Sequence, residues 1–114
     1  MLRFQRMHII YIAADHRGLS LVQALLPFLR TQGYEVHDLT PPLDTDGIID
    51  FPVAAQAVAK QVATYNALGV LICGSGIGMA IAANRFKGVR AGAIHTVEEA
   101  SLAKAHNHLN IACL

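Results

Sequence analysis

Leu68-Gly69-Val70-Leu71-Ile72-Cys73-Gly74-Ser75-Gly76-Ile77-Gly78 is the stretch on which the fold turns. Leu68 to Cys73 is short and nearly all apolar, the pattern of a strand covered on both faces. Gly74 to Gly78, with three glycines, reads as a tight loop. Met79 to Asn84 reads as a short helix behind it. A buried strand passing through a glycine loop into a helix is a building block of parallel sheets.

The same alternation extends in both directions. Upstream, His8 to Ala14 is a second continuous apolar run. Leu19 to Gln32 carries apolar residues at Leu21, Val22, Leu25, Leu26, Phe28 and Leu29, one helical stripe, with Ser20 near its start. Gly33 suits the position just past its end. Pro27 conflicts with that helix, since an interior proline costs about 3 kcal/mol, and it predicts a kink or two short pieces. Tyr34 to Leu39 is a short strand, Thr40 to Asp50 a loop, and Val53 to Tyr65 an Ala-rich helix entered through Pro52. Downstream, Val89 to Ile94 is a strand. Thr96 caps a helix reaching about His106, with Glu99 at the capping-box position. Leu109 to Leu114 is a fifth strand. The order β-α-β-α-β-α-β-α-β predicts an α/β chain: a three-layer, Rossmann-like domain with a five-stranded parallel sheet flanked by helices.

Composition supports one globular unit spanning residues 1–114. The length matches one domain of roughly 100 to 200 residues. At 54% hydrophobic and 15% charged, with a mean hydropathy of +0.40, the chain is not disordered. A net charge of +1 gives no electrostatic case for nucleic acid or anionic membrane partners. No apolar run approaches the roughly 18 residues of a membrane helix. Arg3 and Arg6 ahead of Ile9 to Ala14 imitate a weak signal peptide, but Asp15-His16-Arg17 ends the run early, so a buried strand is the better reading. Cys73 and Cys113 form no CxxC and fit a reduced, cytoplasmic protein.

Ligands of open α/β sheets bind at the carboxyl ends of the strands. That singles out Asp15-His16 after the first strand, Cys73 to Gly78 after the third and His95 after the fourth, while His106-Asn107-His108 leads into the fifth. Peptide N–H groups of a glycine loop beside a helix start favour an anion. The glycine spacing is not a dinucleotide fingerprint, because Met79 stands at its sixth position, and no Gly-Lys-Ser/Thr follows for a P-loop. Cys73 at the mouth of such a loop can serve as a thiolate base or nucleophile, or be a buried strand-end cysteine. Asp15 can move protons or hold a hydroxyl beside His16, or it can cap the next helix with His16 solvated. A histidine near a helix C-terminus, such as His106, can be structural. Arg85, Lys87 and Arg90 form either a phosphate grip or a solvated turn. The histidines lack the i, i+4 spacing of a helical metal pair, so no metal is expected.

Taken in order, these segments resemble the type B ribose-5-phosphate isomerase family, which includes allose-6-phosphate and galactose-6-phosphate isomerases. Ala14-Asp15-His16-Arg17-Gly18 resembles its first-strand signature, Asp50-Phe51-Pro52 its Asp-Tyr-Pro helix entry, and Leu71 to Gly78 its catalytic loop. Ile81 to Ala91 is similar to the segment after that loop. His106-Asn107 with Asn110 resembles its His-Asn-Asp-x-Asn motif. The resemblance runs from Met7, leaving residues 1–6 as an N-terminal extension and Met7 as an alternative start. It implies an aldose–ketose isomerase working through a cis-enediolate, without metal or organic cofactor. Cys73 would be the base. The amides of Gly74, Ser75, Gly76, Ile77 and Gly78, with the Ser75 hydroxyl, would hold the enediolate oxygen. His106 would open the sugar ring, a role suited to an imidazole that titrates near neutrality. Asp15 and Asn107 would bind sugar hydroxyls or assist ring opening, with His16 toward substrate or phosphate. The resemblance also implies a homodimer with its sites at the subunit interface, His106 and Asn107 serving the partner's Cys73.

The chain departs from the pattern at His108, where the family has Asp. It also ends at Leu114, ahead of the family's Gly-x-Arg segment and C-terminal helix. The expectation is a site without its usual phosphate-binding arginines and a last strand left partly uncovered. A catalytically weak sugar-phosphate-binding or subunit-type homologue is therefore the alternative function.

Overall fold

The computed structural model describes residues 8–114. The expectations placed on residues 1–6, on Arg3 and Arg6, and on Met7 as a start lie outside those residues. The elements are β1 (Ile9–Ala14), α1 (Leu19–Thr31), β2 (Glu35–Asp38), α2 (Phe51–Tyr65), β3 (Leu68–Ile72), α3 (Ile77–Ala83), β4 (Ala91–Ala93), α4 (Val97–Asn107) and β5 (Ile111–Cys113). All strand pairs are parallel, in the order β2-β1-β3-β5-β4.

Strand periodicity builds the two faces. Ala13, Leu71, Ile111 and Cys113 point to one side, where Ala55, Val58 and Val62 of α2 and Met79 and Ala83 of α3 cover them. Ile10, Ile12, Ala14 and Ile72 point to the other side, against Val22 of α1. Right-handed crossovers explain the division: α2 and α3 carry the chain one way along the sheet, α1 and α4 the other. The chain changes direction between β1 and β3, and such reversal points open the crevice that α/β proteins use for ligands.

Two expectations need correction. Pro27 does not split its helix, for α1 is continuous from Leu19 to Thr31. Pro27 is exposed, so its ring faces water while Val22, Leu25, Leu26 and Leu29 stay on the sheet. The predicted stop does hold: the N–H of Gly33 donates to the Arg30 carbonyl and that of Tyr34 to the Leu29 carbonyl, a Schellman closure. The last strand is left partly uncovered, as expected, but on one face only. β5 lies between β3 and β4, and Ile111 and Cys113 are fully buried. The bare apolar surface is on the opposite face, where Leu68, Val70 and Ala112 line a groove of about 270 Å³ beside Ala100 and Lys104 of α4. Second, the glycine loop is shorter than Gly74 to Gly78, because α3 begins at Ile77.

Candidate active site

The carboxyl ends of β1, β3 and β5 converge. The N–H of Asp15 donates to the Ile72 carbonyl at 3.0 Å, and that of Cys73 to the Leu114 carbonyl at 3.1 Å. Parallel pairing thus sets Asp15 and Cys73 on neighbouring strand ends. On the far side of β5, the N–H of Ile94 donates to the Cys113 carbonyl at 2.9 Å, which brings His95 to the same rim.

Cys73 sits at the floor of the turn, almost wholly buried. The Gly76 N–H points back at its sulfur, donating to Sγ over 3.1 Å. Gly76 adopts φ +79°, and a side chain there would come within 2.7 Å of the Cys113 carbonyl oxygen, so only glycine lets the turn close this tightly. The Ile77 N–H is satisfied by the Ser75 hydroxyl oxygen at 3.2 Å. Among the described residues, the N–H groups of Gly74, Ser75 and Gly78 meet no protein acceptor. The loop therefore spends two of its amides on its own shape, a smaller cradle than five inward amides. The neighbouring thiol of Cys113 is pushed up to about 12, first by burial and then by the nearby Cys73.

Asp15 is 1% exposed and does not cap α1, whose N-cap is Gly18 with no side-chain bond. Its Oδ1 accepts from the Arg17 backbone N–H at 2.9 Å. Its Oδ2 accepts from Arg17 Nε at 3.3 Å and Nη2 at 3.1 Å. The guanidinium also lies over Gly74, where an added Cβ would approach Nη1 to 2.5 Å. Arg17 therefore joins the β1 end to the cysteine loop while its side chain stays 58% exposed. His16 is partly buried rather than solvated, and its Nδ1 lies against the Ile49 backbone, 3.3 Å from the amide nitrogen and 3.4 Å from the carbonyl oxygen. Phe51, at the start of α2, lays its ring edge 3.1 Å from where a Gly78 Cβ would stand.

His106 and Asn107 are not gathered here. α4 starts beside the loop and runs back along the sheet for 11 residues, about 16 Å, so its last turn lies toward the amino ends of the strands. Other motif residues are structural clamps. The Asn84 side chain pairs with both the N–H and the carbonyl of Ala91. Asn110 accepts from the Arg90 N–H and donates to the Gly88 carbonyl. Arg90 donates through Nε to the His108 carbonyl at 2.7 Å, which ties its guanidinium to the turn after α4. No group of three or more His, Cys, Asp or Glu side chains among the described residues is placed to hold a metal. No helix among them is long and apolar enough to cross a membrane.

Residues 10–114 match the family model described as Ribose/Galactose Isomerase. The chain belongs to that family. A probable ribose-5-phosphate isomerase B of Mycoplasma pneumoniae is 40% identical over 111 residues, covering 96% of this chain and 72% of the relative. The ribose-5-phosphate isomerase B of Mycobacterium tuberculosis is 36% identical, over 90% of this chain and 63% of its own length. Among solved structures, ribose-5-phosphate isomerase B of Mycoplasma genitalium with bound ribulose 5-phosphate superposes with a TM-score of 0.88 at 39% identity, covering 96% of this chain and 73% of that one. This ribose/galactose isomerase family member therefore shares the relatives' fold through the strands that carry Asp15, Cys73 and His95.

Two site residues escaped assignment from sequence. Arg17 lay inside a quoted motif without a role, and His95 was only a residue after a strand. An arginine two places after a strand-end aspartate is a signal for the first. The second's local signal is only its place after a strand, because its partner, Ser75, is twenty positions away.

Proposed function

We propose that this protein is an aldose–ketose isomerase interconverting ribose 5-phosphate and ribulose 5-phosphate, with residues 8–114 acting as one catalytic domain. The observation that carries the reading is the Cys73 sulfur, facing a peptide N–H at the rim where the strand order reverses. The bound ribulose 5-phosphate of the Mycoplasma genitalium relative supports the substrate class.

In the open-chain aldose, the Cys73 thiolate takes the proton from carbon 2. The electron pair moves into a carbon 1–carbon 2 double bond, and the aldehyde oxygen becomes the enediolate oxygen. The free N–H groups of Gly74, Ser75 and Gly78 and the Ser75 hydroxyl stabilise that charge, in a place prepared before it forms. Cys73 returns the proton to carbon 1, the carbon 2 hydroxyl proton passes to oxygen 1, and the ketose results. Asp15, fixed by Arg17, holds a sugar hydroxyl near ring opening, and His16 faces the substrate from the β1 side. His106 and Asn107, distant from Cys73 on their own chain, act in the site of a second copy, so the working form is a homodimer. The reaction needs only proton transfers, so no cofactor enters. Two free, buried cysteines suit a reducing cytoplasm.

The test is ribulose 5-phosphate formation from ribose 5-phosphate, with Cys73→Ala as control. Loss of a general base lowers turnover by roughly 10²- to 10⁴-fold. A Cys73→Ala protein that turns over like the native one would sink the assignment of the base. Calorimetric binding of ribose 5-phosphate without turnover would instead support the binding or subunit-type homologue.

A further inference from the structure

We infer that His95 is a positioning residue for Cys73, acting through the Ser75–Gly76 peptide group. Three contacts carry this. His95 Nε2 lies 2.9 Å from the Ser75 carbonyl oxygen. A carbonyl only accepts, so Nε2 carries a hydrogen and donates it. The amide on the other side of the same peptide bond is Gly76 N–H, the group that donates to Cys73 Sγ at 3.1 Å. One rigid peptide plane thus has its oxygen held by His95 and its hydrogen aimed at the sulfur.

Two consequences follow. The plane cannot rotate without breaking the histidine bond, so the N–H stays directed at the sulfur rather than swinging out to solvent. A hydrogen bond received by the oxygen also polarises the amide and strengthens the bond its N–H donates, by roughly 10–30% in condensed phase. A stronger donor at the sulfur favours the thiolate that removes the sugar proton. His95 is itself anchored, since its backbone N–H donates to Glu99 Oε2 at 3.1 Å in the first turn of α4. Its side chain is 55% exposed, so its replacement leaves the core intact.

The inference rests on the proposed role of Cys73, and its test also reads the contact directly. The backbone ¹⁵N–¹H signal of Gly76 is followed in the native full chain, His95→Ala and His95→Gln. In His95→Ala, the Gly76 amide proton shifts and its solvent exchange accelerates by roughly three- to tenfold, the scale of one lost hydrogen bond. The kcat for ribose 5-phosphate falls by a similar factor, with KM within about twofold. His95→Gln restores both, because its terminal amide N–H stands where Nε2–H does. A Gly76 signal unchanged in shift and exchange in His95→Ala would overturn the inference whatever the turnover. So would a kcat loss that glutamine does not restore. If the native chain lacks turnover, the isomerase reading fails while the Gly76 signal still decides the contact.

Discussion

Arg17 clasps the carboxylate of Asp15 with its backbone N–H and two side-chain nitrogens, and the same guanidinium rests on Gly74. A buried acid at one strand end and the cysteine loop at the next are thereby joined through one half-exposed cation. The pair shows why Asp15 can be 1% exposed without an unmet polar atom. It also leaves guanidinium surface at the rim of the site.

Arg17→Met removes the partner of a buried carboxylate. An uncompensated buried charge costs several kcal/mol, but water reaches more than half of this arginine and screens the pair. The expected loss is about 1–2 kcal/mol in urea unfolding. Isomerisation falls further, by roughly ten- to a hundredfold in kcat/KM, because Asp15 loses its orientation. A stability loss with unchanged kcat/KM would mean that Asp15 does not need Arg17 for its work.

Gly74 and Gly76 separate two kinds of tightness in one loop. A Cβ on Gly74 meets the far end of the Arg17 side chain, which can swing away. A Cβ on Gly76 meets the Cys113 backbone carbonyl at 2.7 Å, in a left-handed conformation that already costs a side chain about 1–2 kcal/mol. Gly76→Ala is expected to lose about 3 kcal/mol, and Gly74→Ala less than about 1 kcal/mol, by thermal or urea unfolding. Equal losses would show that Arg17 is held as firmly as backbone.

What was legible in the sequence was local. The apolar run from Leu68 ending in glycines, the Gly33 stop and the Thr96 cap are each fixed by a few adjacent residues, and each appears as read. Of the two outcomes Pro27 allowed, the split into short pieces does not occur, because the α1 stripe on the sheet outweighs an interior proline's penalty. The place of β5 was hidden for the opposite reason: insertion between β3 and β4 is decided by pairing across the whole chain. The site divides in the same way. Cys73 and its loop are contiguous in sequence and lie at a strand end as read, while the His95–Ser75 contact exists only once β4 and β5 are in order. Of the family-motif residues, Asn84 and Asn110 are clamps on the backbone, a role their spacing alone did not reveal.

Cys113 gives the fold an alkaline weakness. Its thiol stands near 12 when folded, against an ordinary value of 9.0, mainly because burial opposes the charged form. Below about pH 9 both folded and unfolded thiols are neutral and the stabilisation is complete. Above that, the unfolded thiol ionises and the folded one does not, so stability drains away as pH rises toward 12. The loss attributable to this group is about 1 kcal/mol by pH 10. Urea unfolding of native and Cys113→Ala proteins between pH 8 and pH 10 measures it. The variant is less stable at every pH because of the cavity, yet its decline is shallower. Parallel declines would show that Cys113 ionises as easily inside the fold as outside.

α4 contributes no buried residue, so its hold on the fold lies at its ends. The Glu99 N–H donates to the Thr96 hydroxyl oxygen at 3.0 Å, while the Glu99 carboxylate reaches one residue further back, to the His95 N–H. The cap and the His95 anchor are thus one assembly, and His95 is what bonds to the cysteine loop. Thr96→Ala removes about 1 kcal/mol of cap energy, and with little packing to compensate it should appear as local opening. Amide exchange across residues 97–107 is expected to accelerate several-fold, with global unfolding shifted little and the Gly76 amide loosened in step. Thr96→Ser, which keeps the accepting oxygen, should restore both. If α4 loosens while Gly76 does not, the loop holds its shape without help from this helix, and the His95 contact follows the loop rather than fixing it.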